Sequence, residues 1–309
     1  MPAGFKPSAA VQVHKPFDTI PGVTARKHGG NAHPDLSTPQ PPRALTPWQA
    51  QDITRRTAPL PMSSSSAPEA NEARNDGRNA SALRPFSIEW DPMGFAISSL
   101  IVRTGRTTVL CSVCHEEGVP RWRKGQGKGW LSAEYRLLPG STPERQRREL
   151  LKLSGRTQEI QRLIGRSLRA CIDMEALGEN TLLIDCDVIQ ADAGTRTASI
   201  TGAWVALQHA CNVLLARGFV EKQPILQQVA AVSVGLVQGV PLLDLDYSED
   251  SQADVDLNVV MDSNSNLLEI QGTAEGAAFS RSQLNGLLDL AEPGLHQLMQ
   301  AQRQALSNR

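Results

Sequence analysis

Residues 190–203 read QADAGTRTASITGA. A β-like run, TLLIDCDVI (181–189), precedes them, and a helix-like run, AWVALQHACNVLLARG (203–218), follows. Thr195, Arg196 and Thr197 therefore sit on a small-residue turn where a strand hands over to a helix. Gly194 permits a backbone angle closed to most residues, and the next amides converge at the start of a helix, where the dipole favours an anion. Thr195 and Thr197 add hydroxyl donors, and Arg196 adds a planar fork that matches two phosphate oxygens. A Walker lysine is absent, and none is needed if the anion is free orthophosphate and not a nucleotide tail. An isolated G-T-R has a plainer alternative, a threonine N-cap beside a surface arginine.

Two further groups bear on the choice. Arg156, near the front of a helix-patterned stretch, could converge on the same anion. SEDSQADVDLNVV (248–260) offers Asp250, Asp254 and Asp256; if 254–260 is a strand, Asp254 and Asp256 share a face. Carboxylates grouped near a phosphate suit Mg²⁺, which takes one or two of them plus phosphate oxygens and water. A protonated aspartate could instead act as general acid to a leaving oxygen, and an Asp-rich loop without chemistry is the third possibility.

Other candidates fall away. His115-Glu116-Glu117 is not H-E-x-x-H, and no G-x-S-x-G occurs. Cys111 and Cys114 form a C-x-x-C inside a strand-like run, so their odd offset puts them on opposite faces, against a zinc or redox pair. Five cysteines and no secretory signal at the N-terminus predict reduced thiols and a cytoplasmic protein. No run approaches the length of a membrane span.

The elements that must position these residues follow from periodicity. FAISSLIVR (95–103) and TTVLCSVCH (107–115) read as a hairpin, and 154–177 as a helix capped by Ser154. After the strand 181–189 and a helix from about 197 come strands over 228–239, 240–248, 255–262 and 267–275, then helices over 282–291 and 294–306. Mixed hairpins with packed helices predict an α+β fold. The first 70 residues hold 12 of the 20 prolines; a disordered extension is expected over 1–70, with one domain over 71–309. Met62 is a second candidate start of translation.

Charge is segregated. Residues 121–169 carry 13 Lys or Arg against 4 Asp or Glu, whereas 240–276 carry 9 acidic residues and no Lys or Arg. RWRKGQGKGW (121–130) interleaves basic residues with Trp and Gly, a pattern for nucleic-acid contact. The acidic stretch is suited to a cation.

With these residues assembled, the chain resembles the ribonuclease PH family of phosphorolytic 3′-exoribonucleases over about residues 76–305. The resemblance rests on EEGVPRWRKGQGKGWLSAEYRLLP (116–139), GRTQEIQRLIGRSLRA (155–170), LIDCDVIQADAGTRTASITGA (183–203), VAAVSVG (229–235), YSEDSQADVDLNVVM (247–261) and EIQGTAEG (269–276). It implies a ribosomal protein S5 domain 2-like α+β fold and a homohexamer built as a trimer of dimers. The implied reaction uses inorganic phosphate and Mg²⁺ to release nucleoside 5′-diphosphates from the 3′ ends of tRNA precursors and other RNAs, reversibly. It implies phosphate binding by Arg156, Gly194, Thr195 and Arg196, catalysis and metal binding by Asp250 and Asp256, and RNA contact by Arg145 and Arg148. Arg121 and Lys124 of the basic run join that RNA-contacting set. Where the family reads L-P-R-S-T this chain has Leu138-Pro139-Gly140-Ser141-Thr142, so one RNA-facing arginine is missing. A silent RNA-binding ring subunit and a hydrolytic nuclease are the competing readings; the first usually lacks the phosphate arginine or the aspartates, and the second would release monophosphates.

Overall fold

The computed structural model describes residues 74–150, 152–275 and 278–309. The extension expected over 1–70 and the candidate start at Met62 lie outside the described residues.

The expected hairpin forms from β2 (Ser98–Thr104) and β3 (Thr107–Glu117), closed at Gly105 and Arg106. β1 (Phe86–Trp90) pairs with β2 on one side, β5 (Asn180–Gln190) with β3 on the other, and β4 (Trp130–Leu137) completes the order β1-β2-β3-β5-β4. β4 and β5 run parallel, so the chain crosses over between them through α1 (Gly155–Arg169). Val109, Cys111 and Val113 on β3, Leu182, Ile184, Cys186 and Val188 on β5, and Leu131 and Tyr135 on β4 alternate into one buried face. That period of two is what their sequences prescribe, and the face packs on α1 and on α3 (Thr195–Ala216).

A second sheet, order β7-β6-β8-β9, covers the other flank of α3. It comprises β6 (Val229–Val237), β7 (Val240–Leu243), β8 (Val255–Asp262) and β9 (Leu267–Ala274), all antiparallel. Val255, Leu257, Val259 and Met261 of β8 pack on α5 (Arg281–Ser307), while Val260 joins the core around α3. The result is an α+β stack of sheet, helices, sheet and helix. Caught between two sheets, α3 is buried nearly all round, as its apolar sequence requires.

Three expected boundaries move. The helix expected over 154–177 ends at Arg169, because the Asp173 side chain accepts from the Glu175 and Ala176 N–H groups and starts a separate turn, α2 (Met174–Leu177). The strand expected over 240–248 ends at Leu243: Asp244 turns the chain at φ 54°, and Asp246 caps α4 (Tyr247–Asp250) with a reciprocal capping box. The two closing helices are one, with Pro293 inside α5. β1 and β4 escaped the periodicity reading, since β1 has five residues and β4 lies within the basic region.

Candidate active site

The turn at 191–195 is held in an unusual shape. Ala193 and Gly194 both take left-handed angles, φ 55° and 61°, a conformation that persists at a non-glycine residue only when its surroundings enforce it. Two groups do so here. The Thr107 hydroxyl donates to the Ala193 carbonyl at 2.6 Å and accepts from the Asp192 N–H at 2.9 Å. Arg84, 4% exposed, donates to the Asp192 carbonyl at 2.6 Å and to the Asp244 carboxylate at 2.7 Å. It thereby ties the turn to the loop that leads into α4.

Gly194, not a threonine, is the N-cap of α3, and among the described residues no side chain caps the first turn. The threonine N-cap alternative therefore falls. The first amides of a 22-residue helix are left for another acceptor. Thr195 and Thr197 are buried; the Thr195 hydroxyl meets the phenol of Tyr135 at 2.8 Å. Burial pushes the Tyr135 phenol up, while the Thr195 hydrogen bond and the charges of Arg156 and Arg196 pull the other way.

Arg196, with a side chain 16% exposed, donates from Nη1 to Oε1 of Gln271, and its Nη2 lies 3.7 Å from Glu159 Oε2. Arg156 projects from the exposed first turn of α1, whose cap is Ser154 as expected, accepting from the Thr157 N–H at 3.2 Å. Among the described residues Arg156 makes no ion pair. Both arginines act on both aspartates. Burial pushes Asp250 above the usual carboxylate range against Arg156, Arg196 and Arg84. Burial, and next the charge of Asp250, push Asp256 up to about 6 against Arg196, Asn258 and Arg156. The structure thus brings together Arg156, Gly194, Thr195, Arg196, Asp250 and Asp256 from four separate elements. Asp254 does not join them, because it precedes β8 and is exposed.

Among the described residues Asp256 Oδ1 is buried without a hydrogen-bond partner, which a native fold tolerates where a ligand or ion completes the group. No group of three metal-binding side chains occurs among the described residues. Two carboxylates with an open oxygen fit Mg²⁺, which leaves most of its coordination to water and phosphate.

The four RNA-facing candidates divide in two. Arg145 and Arg148 lie on the exposed segment after β4, which is tied to the turn by the Ala191 N–H donating to the Ser141 carbonyl at 2.8 Å. Arg121 and Lys124 are exposed at the opposite end of β5, in a loop whose Gly118 N–H donates to the Glu179 carbonyl at 2.8 Å. Eleven strand residues separate the two ends, about 35 Å at strand rise. The Trp residues of that loop serve the chain itself. Trp122 and Trp130 meet edge to face at 4.8 Å, with the Arg123 guanidinium 5.9 and 6.0 Å from their rings and that of Arg169 5.3 Å from Trp130.

All five cysteines are free; Cys111 is buried and Cys114 half-buried, on opposite faces of β3. Among the described residues no helix is long and apolar enough to cross a membrane. Sequence reasoning missed Arg84, Thr107, Tyr135, Glu159 and Gln271. Only Glu159, one helical turn after Arg156, and Gln271, within EIQGTAEG, carried any signal.

The sequence model for the 3′ exoribonuclease family, domain 1, matches residues 82–211, and that for domain 2 matches residues 227–294. The chain is 77% identical over 235 residues to ribonuclease PH of Prochlorococcus marinus (strain MIT 9313), spanning 76% of this chain and 96% of that one. It is 60% identical to ribonuclease PH of Acaryochloris marina (strain MBIC 11017), over 76% of this chain and 98% of the relative. Among solved structures it is similar to the Archaeoglobus fulgidus exosome with RNA bound to the active site. That match has a TM-score of 0.64 at 21% identity and covers 74% of this chain and 92% of that chain.

Proposed function

The chain belongs to the 3′ exoribonuclease family and is a phosphate-dependent 3′–5′ exoribonuclease, and we propose that the turn at Gly194–Arg196 holds the attacking phosphate itself. The observation that carries this is the start of α3, left without a side-chain cap among the described residues and held in shape by Thr107 and Arg84, with Arg196 and Arg156 beside it. The amides of the first turn, the Thr195 hydroxyl and the two guanidinium groups bind orthophosphate and offset its repulsion from the RNA phosphodiester.

An oxygen of the bound phosphate attacks the last phosphorus of the RNA. A new P–O bond forms, the bond to O3′ breaks, and the products are a nucleoside 5′-diphosphate and an RNA shortened by one nucleotide. Holding nucleophile and phosphodiester in line supplies a large share of the rate. The leaving O3′ must gain a proton, and the protonated member of the Asp250–Asp256 pair supplies it. The ionised member of the pair would hold Mg²⁺, which when bound neutralises charge on the phosphoryl oxygens and on the leaving oxygen. Of the two, Asp256 is the more essential.

The substrates on this reading are the 3′ ends of tRNA precursors and other RNAs, including ribosomal RNA, and the reverse reaction adds nucleotides. Arg145, Arg148, Arg121 and Lys124 contact the RNA backbone. The working form is a cytoplasmic homohexamer, a trimer of dimers. Its support, beyond family resemblance, is the outer face of the five-stranded sheet, where Ile101, Leu110 and Leu183 are only half-buried and Ile189 is exposed.

The test incubates the protein with Mg²⁺ and a short RNA bearing an unpaired 3′ tail, with and without orthophosphate. Nucleoside diphosphates formed only with phosphate are expected. Monophosphates formed without it would replace phosphorolysis by hydrolysis, and RNA binding with no products would mark a silent ring subunit.

A further inference from the structure

EIQGTAEG contains a side chain that the reaction described above does not use. Gln271 lies on β9 opposite Asn258 of β8. Asp256 and Asn258 are two residues apart on β8, so Gln271 shares the sheet face that carries the catalytic carboxylate. From there its side chain reaches the helical layer. Its Oε1 accepts from Nη1 of Arg196 on α3, and its Nε2 donates to Oε1 of Glu159 on α1 at 2.8 Å. The other carboxylate oxygen of Glu159 stands 3.7 Å from Arg196 Nη2, beyond hydrogen-bond length. Three elements from two layers of the fold therefore meet at one guanidinium.

The polarity of this chain of contacts is fixed by chemistry. An ionised carboxylate only accepts, so Glu159 draws the amide NH₂ of Gln271 towards itself and turns the carbonyl to Arg196. A guanidinium binds phosphate best through two parallel N–H groups on one edge, which requires its plane to be held. Gln271 engages Nη1 and leaves other N–H groups for the anion. It does so with a neutral amide, so the positive charge that recruits phosphate is not cancelled. Glu159 also stands beside this guanidinium, but its Oε1 accepts from the amide and its Oε2 stays 3.7 Å from Nη2.

We propose that Gln271 is a positioning residue for phosphorolysis: with Glu159 it holds the Arg196 guanidinium in the orientation that receives orthophosphate. The proposal rests on the reading of Arg196 as a phosphate-binding arginine. Gln271 touches neither substrate, and its effect passes through Arg196 alone.

Three variants test it: Gln271→Leu, which removes the carbonyl; Gln271→Glu, an isostere that adds charge; and Glu159→Gln, which frees the amide from the opposite side. Initial rates are measured against orthophosphate at saturating RNA, and against RNA at saturating orthophosphate, with thermal melts of each variant. The expected result is a KM for orthophosphate raised tenfold or more in both Gln271 variants, higher for Gln271→Glu, with a smaller rise for Glu159→Gln. KM for RNA should stay within twofold and kcat within about threefold. A purely structural role would lower kcat and the melting temperature together and leave the phosphate KM alone, and that pattern overturns the proposal. So does a phosphate KM within twofold of the parent in either folded Gln271 variant. If Gln271→Leu does not fold, the isosteric Gln271→Glu and the α1 variant decide. A parent enzyme that degrades RNA without phosphate defeats the phosphorolytic reading itself. A phosphate-dependent parent with unaffected variants defeats only this inference.

Discussion

Asp256 keeps its proton up to about pH 6 although Arg196 and Arg156 both favour the carboxylate, because burial and the neighbouring Asp250 outweigh them. The same imbalance is a statement about stability. A carboxyl whose pKa is raised on folding binds its proton more tightly in the native state, so its contribution is fully present below the unfolded value near 4. It is lost as pH rises through the folded value of about 6. Two pK units correspond to about 3 kcal/mol at most. Without phosphate or metal the protein should therefore lose stability between pH 4 and 6, with Asp250 adding in the same direction. Asp256→Asn should be inactive yet more stable than the parent above pH 6, by up to about 10 °C in melting temperature, and little different near pH 4. Melts across that range check it; a variant less stable than the parent at pH 8 would show that the arginines depend on this carboxylate more than burial opposes it. A site that destabilises its own fold is what a centre awaiting a cation and an anion should do.

A strand, a turn and a helix are local features, and for that reason the turn proposed to hold phosphate could be located in the sequence. The pattern changes from period two to helical within a few residues of Gly194, and the proposed site sits at the change. What the sequence did not disclose is the enforcement of that turn by Arg84 and Thr107, which lie 108 and 86 residues away from their carbonyl partners. Glu159 and Gln271, 112 residues apart, are in the same position. Such contacts follow from which elements the topology stacks, and no periodicity encodes them. The long α5 failed differently: Pro293 reads as a break, yet packing of Leu287, Ala291, Leu295 and Leu298 on the second sheet continues the helix through it. The turn gives a sharp prediction at this scale. A Cβ on Gly194 would lie 2.8 Å from Arg84 Nη2 and 3.2 Å from Thr197 Oγ1, at a φ of 61° that side chains rarely adopt. Gly194→Ala should cost about 1–2 kcal/mol of stability. It should also raise the KM for orthophosphate by more than tenfold, because the clash pushes the guanidinium that holds the Asp192 carbonyl. Urea unfolding and phosphate titrations measure the two effects, and a variant with parental values in both would mean that the turn relaxes freely.

Across the whole molecule, opposite charges have been sent to different places. The acidic stretch folds into β7, α4, β8 and β9 and delivers two aspartates to the site, whereas the basic stretch is split between the two ends of β4 and β5. Arg145 and Arg148 stand at the phosphate-turn end, and Arg121 and Lys124 about 35 Å away along the strands. On the proposed path, a single RNA strand running over one chain should meet the first pair next to its 3′ end and the second only if it is long. Affinity for RNA should fall steeply with salt, with a slope reduced by about 0.7 for each backbone contact removed. Arg145→Ala with Arg148→Ala should lower that slope for short and long RNAs alike. Arg121→Ala with Lys124→Ala should lower it for long RNA and leave a short oligonucleotide unaffected. Anisotropy titrations over a range of salt, without orthophosphate, separate the cases. A flat salt dependence would remove the basic residues from the RNA path altogether. Loss of short-oligonucleotide binding on changing Arg121 and Lys124 would contradict a path confined to one chain. Strands cannot shorten to bring that loop to its own site, so such a loss would require the loop of a neighbouring copy to lie across the phosphate turn.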